Sequence, residues 1–321
     1  MSSRVSRIVL MTVTTALMLV TFAFNFLSFS SLGRSLGIFS NSSGSVWDNR
    51  NNLTQSGLNP PEYAFGVWGF IYLYQVCMLA YCWSLLFRST SRGQPLCCVP
   101  GLLPVGYLVC HLLSSVFNTA FVLLADRTDR KYFLIVLIFV MLALAVSLSV
   151  GVIVSIRQLW LGRLRLQQEG LLPHYWLVIG LQQNACGFYA GWAWIALFIN
   201  IDNAIINLAD WPVTSSSLLC LCQLFALLAA YVTADLSILD PHLRFFFGPY
   251  LTLLWAVATG VGASYSPASA VTKVTLELAV ALALVIIAKS VLAVIRQKRN
   301  PLPMPGSGHG GAYDGSFEKA S

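Results

Sequence analysis

Apolar runs of membrane-spanning length recur along the whole chain, separated by short polar or Gly/Pro-marked connections. A spanning helix needs ~20 mostly apolar residues. Measured against that length, the runs are Ile8–Leu27, Tyr63–Phe87, Val105–Leu124 and Tyr132–Ile156, then Tyr175–Ile201, Val213–Val232, Phe245–Ala263 and Val271–Ile295. The pattern predicts an all-α membrane protein, a polytopic helical bundle of about eight transmembrane helices with no sizeable soluble domain. The first run, behind Arg4 and Arg7, is longer than the ~7–15-residue core of a signal peptide and lacks a prompt small-x-small cleavage site, so it reads as a retained span. No internal repeat is evident.

Composition agrees: 57% of residues are hydrophobic and 10% charged, against roughly 25% charged in soluble domains. So few charges cannot cover a water-facing surface. The net charge of +7 does not point to nucleic acid, because the basic residues cluster between apolar runs, as membrane topology requires. Among the eight cysteines, Cys77, Cys82, Cys110, Cys186, Cys220 and Cys222 lie within apolar runs, and no pair has metal-ligand spacing. Neither a disulfide framework nor a metal site is expected. Cys97 and Cys98, adjacent and just outside a span, are candidates for palmitoylation as well as for plain loop packing.

With the N-terminus inside, twelve basic residues fall on the cytoplasmic side and six outside, with Lys289 left within the last run and able to snorkel inward. Both termini are then cytoplasmic. The exterior loop at 30–60 carries two glycosylation acceptor patterns, at Asn41 and Asn52. An endomembrane or plasma membrane is therefore favoured over the mitochondrial outer membrane, where N-glycosylation does not occur. The tail from Asn300 is rich in Pro, Gly and Ser and reads as disordered.

Two stretches are polar, aromatic and Gly/Pro-marked inside otherwise apolar surroundings. The first runs Pro60-Pro61-Glu62-Tyr63-Ala64-Phe65-Gly66-Val67-Trp68-Gly69-Phe70-Ile71-Tyr72, two prolines leading into a helix whose first amides need no acceptor. By itself it reads as an interfacial aromatic belt. The second lies in the fifth run, where steps of three and four place Gln182, Tyr189, Trp192, Ala196 and Asn200 on one helical face. Such a stripe should face protein or a cavity rather than lipid. Asn118 in the third run and Asn200 suit either interhelical hydrogen bonding or ligand contact. His111 and Glu277 are ionisable groups inside runs, where a proton or ion role is one reading. A bonded carbonyl for His111 and the exterior interface for Glu277 are the plainer ones.

Together these residues resemble the translocator protein, or tryptophan-rich sensory protein (TspO/MBR), family. Its Pro-Pro, aromatic, Phe-Gly, Trp and following Tyr match the first stretch. Its fifth-span spacing matches Tyr189, Trp192, Ala196 and Asn200, and its third-span Asn-x-x-Trp is present as Asn118-Thr119-Ala120-Phe121. The resemblance covers roughly residues 60–201. It implies a five-span core over 1–201, three additional spans over 202–299 and a tail over 300–321. It also implies a cavity for a flat apolar ligand such as a porphyrin, for which Tyr63, Trp68, Asn118, Tyr189, Trp192 and Asn200 are the site residues. Departures are Phe121 in place of tryptophan and the absence of the sterol-associated aromatic-basic pattern after Asn200, which makes sterol the weaker ligand class.

No hydrolase elbow, P-loop, dinucleotide fingerprint or HExxH occurs in a usable context, and Asp126-Arg127-Thr128 falls on the wrong side for a heptahelical receptor. The expectation is a non-enzymatic protein, without a cofactor, that binds, senses or transports a small amphipathic aromatic ligand. The alternative is a secondary transporter coupled through Glu277. The expected partners are the lipid bilayer and the ligand, with nucleic acid excluded and a homodimer left open.

Overall fold

The computed structural model describes residues 2–39, 53–127, 131–263, 266 and 268–302. The apolar runs form eight principal helices. These are α1 (Ser2–Phe29), α2 (Val67–Phe87), α3 (Val105–Ala125) and α4 (Phe133–Gln168), then α5 (Leu172–Leu208), α6 (Val213–Leu236), α7 (Gly248–Ala263) and α8 (Ala270–Arg299). Short helices at Ser31–Ser35 and Asp240–Leu243 and a 3-10 turn at Glu62–Gly66 complete the described elements, among which there is no strand. Large apolar side chains lie exposed on the outside, including Phe26, Phe139, Ile153, Leu284 and Ile287. That is the surface a bilayer would solvate, and the protein is an integral, multi-pass, all-α membrane protein. The most covered helix is α5, with 72% of its apolar window buried, and α2, α4, α6 and α7 pack directly against it.

Among the described residues, seven of the eight helices are long and apolar enough to cross a membrane; in the seventh in order, α7, 16 residues are described as helix. At ~1.5 Å per residue it reaches about 24 Å, short of a ~30 Å hydrocarbon core. The chain still traverses the bundle there, because the connector before α7 enters its interior. Asn184, about 18 Å along α5 by helical rise, accepts from the Phe247 amide at 2.7 Å and the Gly248 amide at 2.8 Å, while its Nδ2 donates to the Phe245 carbonyl at 2.9 Å. The asparagine thereby caps α7 from a neighbouring helix, satisfying amides that a helix start leaves without partners. A Cβ at Gly248 would strike the Asn184 carbonyl oxygen, so this approach requires glycine. At the far end of α7, Tyr63 donates to the Thr259 carbonyl at 3.2 Å and Trp255 Nε1 to the Ala64 carbonyl at 3.1 Å.

Two expected boundaries move. Helix α4 continues to Gln168 and carries Arg157, Trp160, Arg163 and Arg165, which run length places in a loop. Apolar run length marks contact with lipid, whereas helical hydrogen bonding persists beyond it. Helix α5 contains a π turn, Val178–Asn184, and its regular part extends past Asp202. Lys289, expected to snorkel inward, is buried and pairs with Asp235 at 2.5 Å. The reason is a partner on α6 that an apolar-run reading passes over. Asn41 and Asn52 and the tail beyond residue 302 lie outside the described residues.

Candidate functional site

The segment from Leu53 to Gly66 leads into α2, and Asp202 near the end of α5 fixes it. Asp202 is fully buried; it accepts from Ser56 at 2.5 Å, from Ser217 at 2.7 Å and from Ser216. The Gly57 amide donates to Ser217 Oγ at 3.1 Å, and Asn207 exchanges two hydrogen bonds with the Thr54 backbone, at 2.8 and 2.9 Å. One carboxylate thus ties the loop, α5 and the first turns of α6 together. A buried carboxyl group is tolerated when hydrogen bonds replace its water, and three hydroxyls supply them here.

Beneath this segment the aromatic residues of α2 and α5 meet. Trp68 lies edge-on to Tyr189 at 5.8 Å and to Trp192 at 6.1 Å, and stacks on Tyr72 at 5.5 Å. Phe65 meets Trp192 edge-on at 6.1 Å, and Phe22 of α1 lies 4.5 Å from Tyr72. Offset and edge-to-face arrangements at these separations are the favoured ones. Asn118 joins the same place. Its Oδ1 accepts from Asn25 Nδ2 at 2.8 Å, and its Nδ2 donates to the Tyr189 hydroxyl, so it links α1, α3 and α5.

Of the residues singled out in the sequence, Trp68, Asn118, Tyr189 and Trp192 converge. Tyr63 does not; it is largely exposed and Phe65 stands against Trp192 in its place. Asn200 is buried with Nδ2 bonded to the Ala196 carbonyl of its own helix at 2.7 Å and Oδ1 unpartnered. Gln182 is engaged elsewhere, donating to the Leu102 carbonyl at 3.2 Å. Glu277 sits on an exposed face of α8. Cys97 is fully buried and Cys98 half-buried; burial first, and then its neighbour Cys98, push the Cys97 thiol up to about 11.

His111 lies closer to the cluster than its sequence position suggests. It is buried, stacked on Tyr107 at 5.9 Å, and borders a cavity of about 10 Å³ together with Tyr72, Gln75, Ser114, Ser115 and Tyr189. The Tyr72 hydroxyl, Gln75 Oε1, His111 Nδ1 and, above them, Trp68 Nε1 are all buried without a hydrogen-bond partner. A cavity of that size holds about one water molecule. Gln75 went unnoticed in the sequence, although Trp68, Tyr72 and Gln75 follow one another at the steps of four and three that share a helix face.

A family model described as TSPO-like protein matches residues 10–289, which spans the aromatic cluster and the last three helices alike. No curated protein and no solved structure matches the chain.

Proposed function

Because the chain belongs to the TSPO-like protein family, we propose that it binds a small, flat amphipathic molecule, tetrapyrrole-like at the level of the family, among the rings of Trp68, Tyr72, Tyr189 and Trp192. One observation carries this reading: residues from three distant helices form a ring cluster that leaves four buried polar atoms unpartnered. Each such atom costs ~1–3 kcal/mol relative to a satisfied one, so a ligand's polar edge, or water, has a ready role there. Small-molecule sites are mostly apolar with a few polar groups, and occupy ~300–1,000 Å³. The cluster as it stands is closed, so binding requires the Glu62–Gly66 turn and the first turn of α2 to move outward while Asp202 keeps the preceding segment anchored.

The protein is read as a binder, sensor or carrier and not as an enzyme. The deciding experiment is a thermal-shift screen of the detergent-purified full chain against porphyrins, sterols and amino acids, followed by tryptophan-fluorescence titration. Protoporphyrin IX should raise the melting temperature and quench saturably. Losing a stacked ring costs ~0.5–1.5 kcal/mol beyond its buried area, so Trp192→Ala should weaken binding roughly tenfold. Equal losses for Trp192→Ala and for Trp211→Ala, an exposed tryptophan outside the cluster, would reduce the stripe to packing.

A second reading, a secondary transporter, draws support from Asp235. Its Oδ2 pairs with Lys289 while Oδ1 stays buried and unpartnered, which makes it a better coupling carboxylate than the exposed Glu277. Proton-gradient-driven uptake in liposomes, abolished by Asp235→Asn, would select this reading. Residence in an endomembrane or the plasma membrane is supported by the basic asymmetry and the acceptor patterns at Asn41 and Asn52. Co-fractionation with mitochondria and no glycan would reverse it.

A further inference from the structure

A separate cavity of about 770 Å³ lies between α4, α5, α6 and the connector before α7. Ile153 and Ile156 of α4, Ala190 and Trp194 of α5, and Leu227 of α6 give it almost wholly apolar walls. Ile153 and Leu227 are themselves exposed on the outer surface, so the groove opens sideways onto the face that lipid would cover. Its volume is that of a small-molecule site, and an open apolar groove inside a bilayer is filled by whatever apolar chain is nearest.

One end of the groove differs. Arg157, Trp160 and His242 line it there. Arg157 is exposed and makes no hydrogen bond or ion pair among the described residues. The basic groups around it are already engaged. The Arg163 guanidinium covers the Trp160 ring at 3.9 Å and donates to the Trp160 carbonyl at 2.6 Å; Arg165 pairs with Glu169 at 3.5 Å; Arg244 is held by Asp240 at 2.8 Å. The His242 ring packs on Trp160 at 4.3 Å, and partial burial, with Arg163 nearby, holds it below its usual range. The end therefore offers one free guanidinium and one neutral imidazole in a net positive surrounding. It is also the end that the distribution of basic residues assigns to the cytoplasm, the leaflet where anionic lipids concentrate.

We propose that this groove holds one acyl chain of an anionic glycerophospholipid, with the headgroup phosphate on Arg157 and His242 and the chain along Ile153, Trp194 and Leu227. The uncharged walls explain retention of the chain, and the free Arg157 guanidinium explains selection of the headgroup. The site is separate from the aromatic cluster, so the two stand or fall independently.

The test reconstitutes the full chain into vesicles of equimolar phosphatidylserine and phosphatidylcholine, then counts lipids retained after mild extraction by native mass spectrometry. The wild type should keep one phosphatidylserine in preference to phosphatidylcholine. A Lys or Arg near an anionic surface contributes ~1 kcal/mol, so Arg157→Gln should reduce that preference about fivefold. Leu227→Trp, on an exposed position whose larger ring fills the groove, should remove retention of either lipid, with thermal melts confirming an intact fold. Trp192→Ala should leave retention unchanged. Equal retention of the two lipids by the wild type, retention surviving in Leu227→Trp, or a dimer whose interface covers Leu227 would each overturn the proposal.

Discussion

The first five helices and the last three are held together by different kinds of buried polar contact. In the first group the links between helices are mainly neutral: Asn25 to Asn118, Asn118 to Tyr189, Gln75 to the Ala185 carbonyl and Thr21 to the Ser115 carbonyl. In the second they are ionic. Lys289 of α8 donates to Asp235 of α6 at 2.5 Å and to the Leu243 carbonyl at 3.0 Å, and the Tyr250 hydroxyl of α7 donates to the same carboxylate at 2.5 Å. A neutral hydrogen bond inside a membrane protein contributes ~0.6–2 kcal/mol and can be exchanged for one to a ligand. A buried ion pair cannot be opened without exposing charge to hydrocarbon. The neutral group is therefore the part suited to admit a molecule, and the ionic group the part suited to stay closed.

The largest expected effect breaks the ionic side. Lys289→Met leaves Asp235 buried without its counter-charge, and removing one partner of a buried pair costs ~3–5 kcal/mol. The single variant should melt far below the wild type in detergent. The double variant Lys289→Met with Asp235→Asn removes both charges and keeps an acceptor for Tyr250, so most of the loss should return. A single variant that melts with the wild type would mean that Lys289 reaches water and that the contrast between the halves is false.

Smaller effects are expected on the neutral side, and their kind matters more than their size. Tyr189→Phe deletes the acceptor of Asn118 Nδ2 and should cost ~0.6–2 kcal/mol, read as a lowered melting temperature. Asn200→Ala removes a side chain bonded only to its own helix, at the Ala196 carbonyl, so stability should change little. If its unpartnered Oδ1 orients a ligand, porphyrin affinity should fall while the melting temperature holds. A variant that melts early yet binds normally would assign Asn200 to packing alone.

The contrast was only half legible in the sequence. Apolar run length located every principal helix, because exclusion of polar groups from lipid is a one-dimensional constraint. Spacing along α5 likewise brought out Tyr189 and Trp192, since three- and four-residue steps fix a face, whereas Trp68 stood out only through the family resemblance. What spacing cannot give is which faces meet. Asp235 and Lys289 are 54 positions apart, and each alone reads as a charge near the end of a run, so the pair was missed. Asp202 lies one position past the fifth apolar run, which ends at Ile201, so run length alone leaves it outside the helix, although Ser56, Ser216 and Ser217 supply its hydrogen bonds from two distant segments. The length of α7 was hidden because Phe245–Phe247 are apolar and count toward a run, yet they form the connector that Asn184 holds.

The smallest effect expected lies at the rim of the ionic half. Asp240 accepts from Arg244 at 2.8 Å and pairs with Arg296 of α8 at 2.7 Å, closing the short helix Asp240–Leu243 onto α8. Burial by itself would raise its carboxyl, but the two arginines outweigh burial and hold it below the usual carboxylate range. A folded pKa below the unfolded value of ~3.9 means that the folded state favours the charged form. The contribution is therefore complete above that value and is lost as pH falls through the folded pKa. Arg296 is partly exposed and screened, so the effect should be about 1 kcal/mol or less. Thermal melts at pH 7 should place Asp240→Asn a little below the wild type, and the gap should close as both are taken below pH ~4. A gap that persists unchanged in acid would show that Asp240 acts through packing and that the arginine contacts contribute nothing. In that case Asp235–Lys289 would be the sole ionic tie between the last three helices among the described residues.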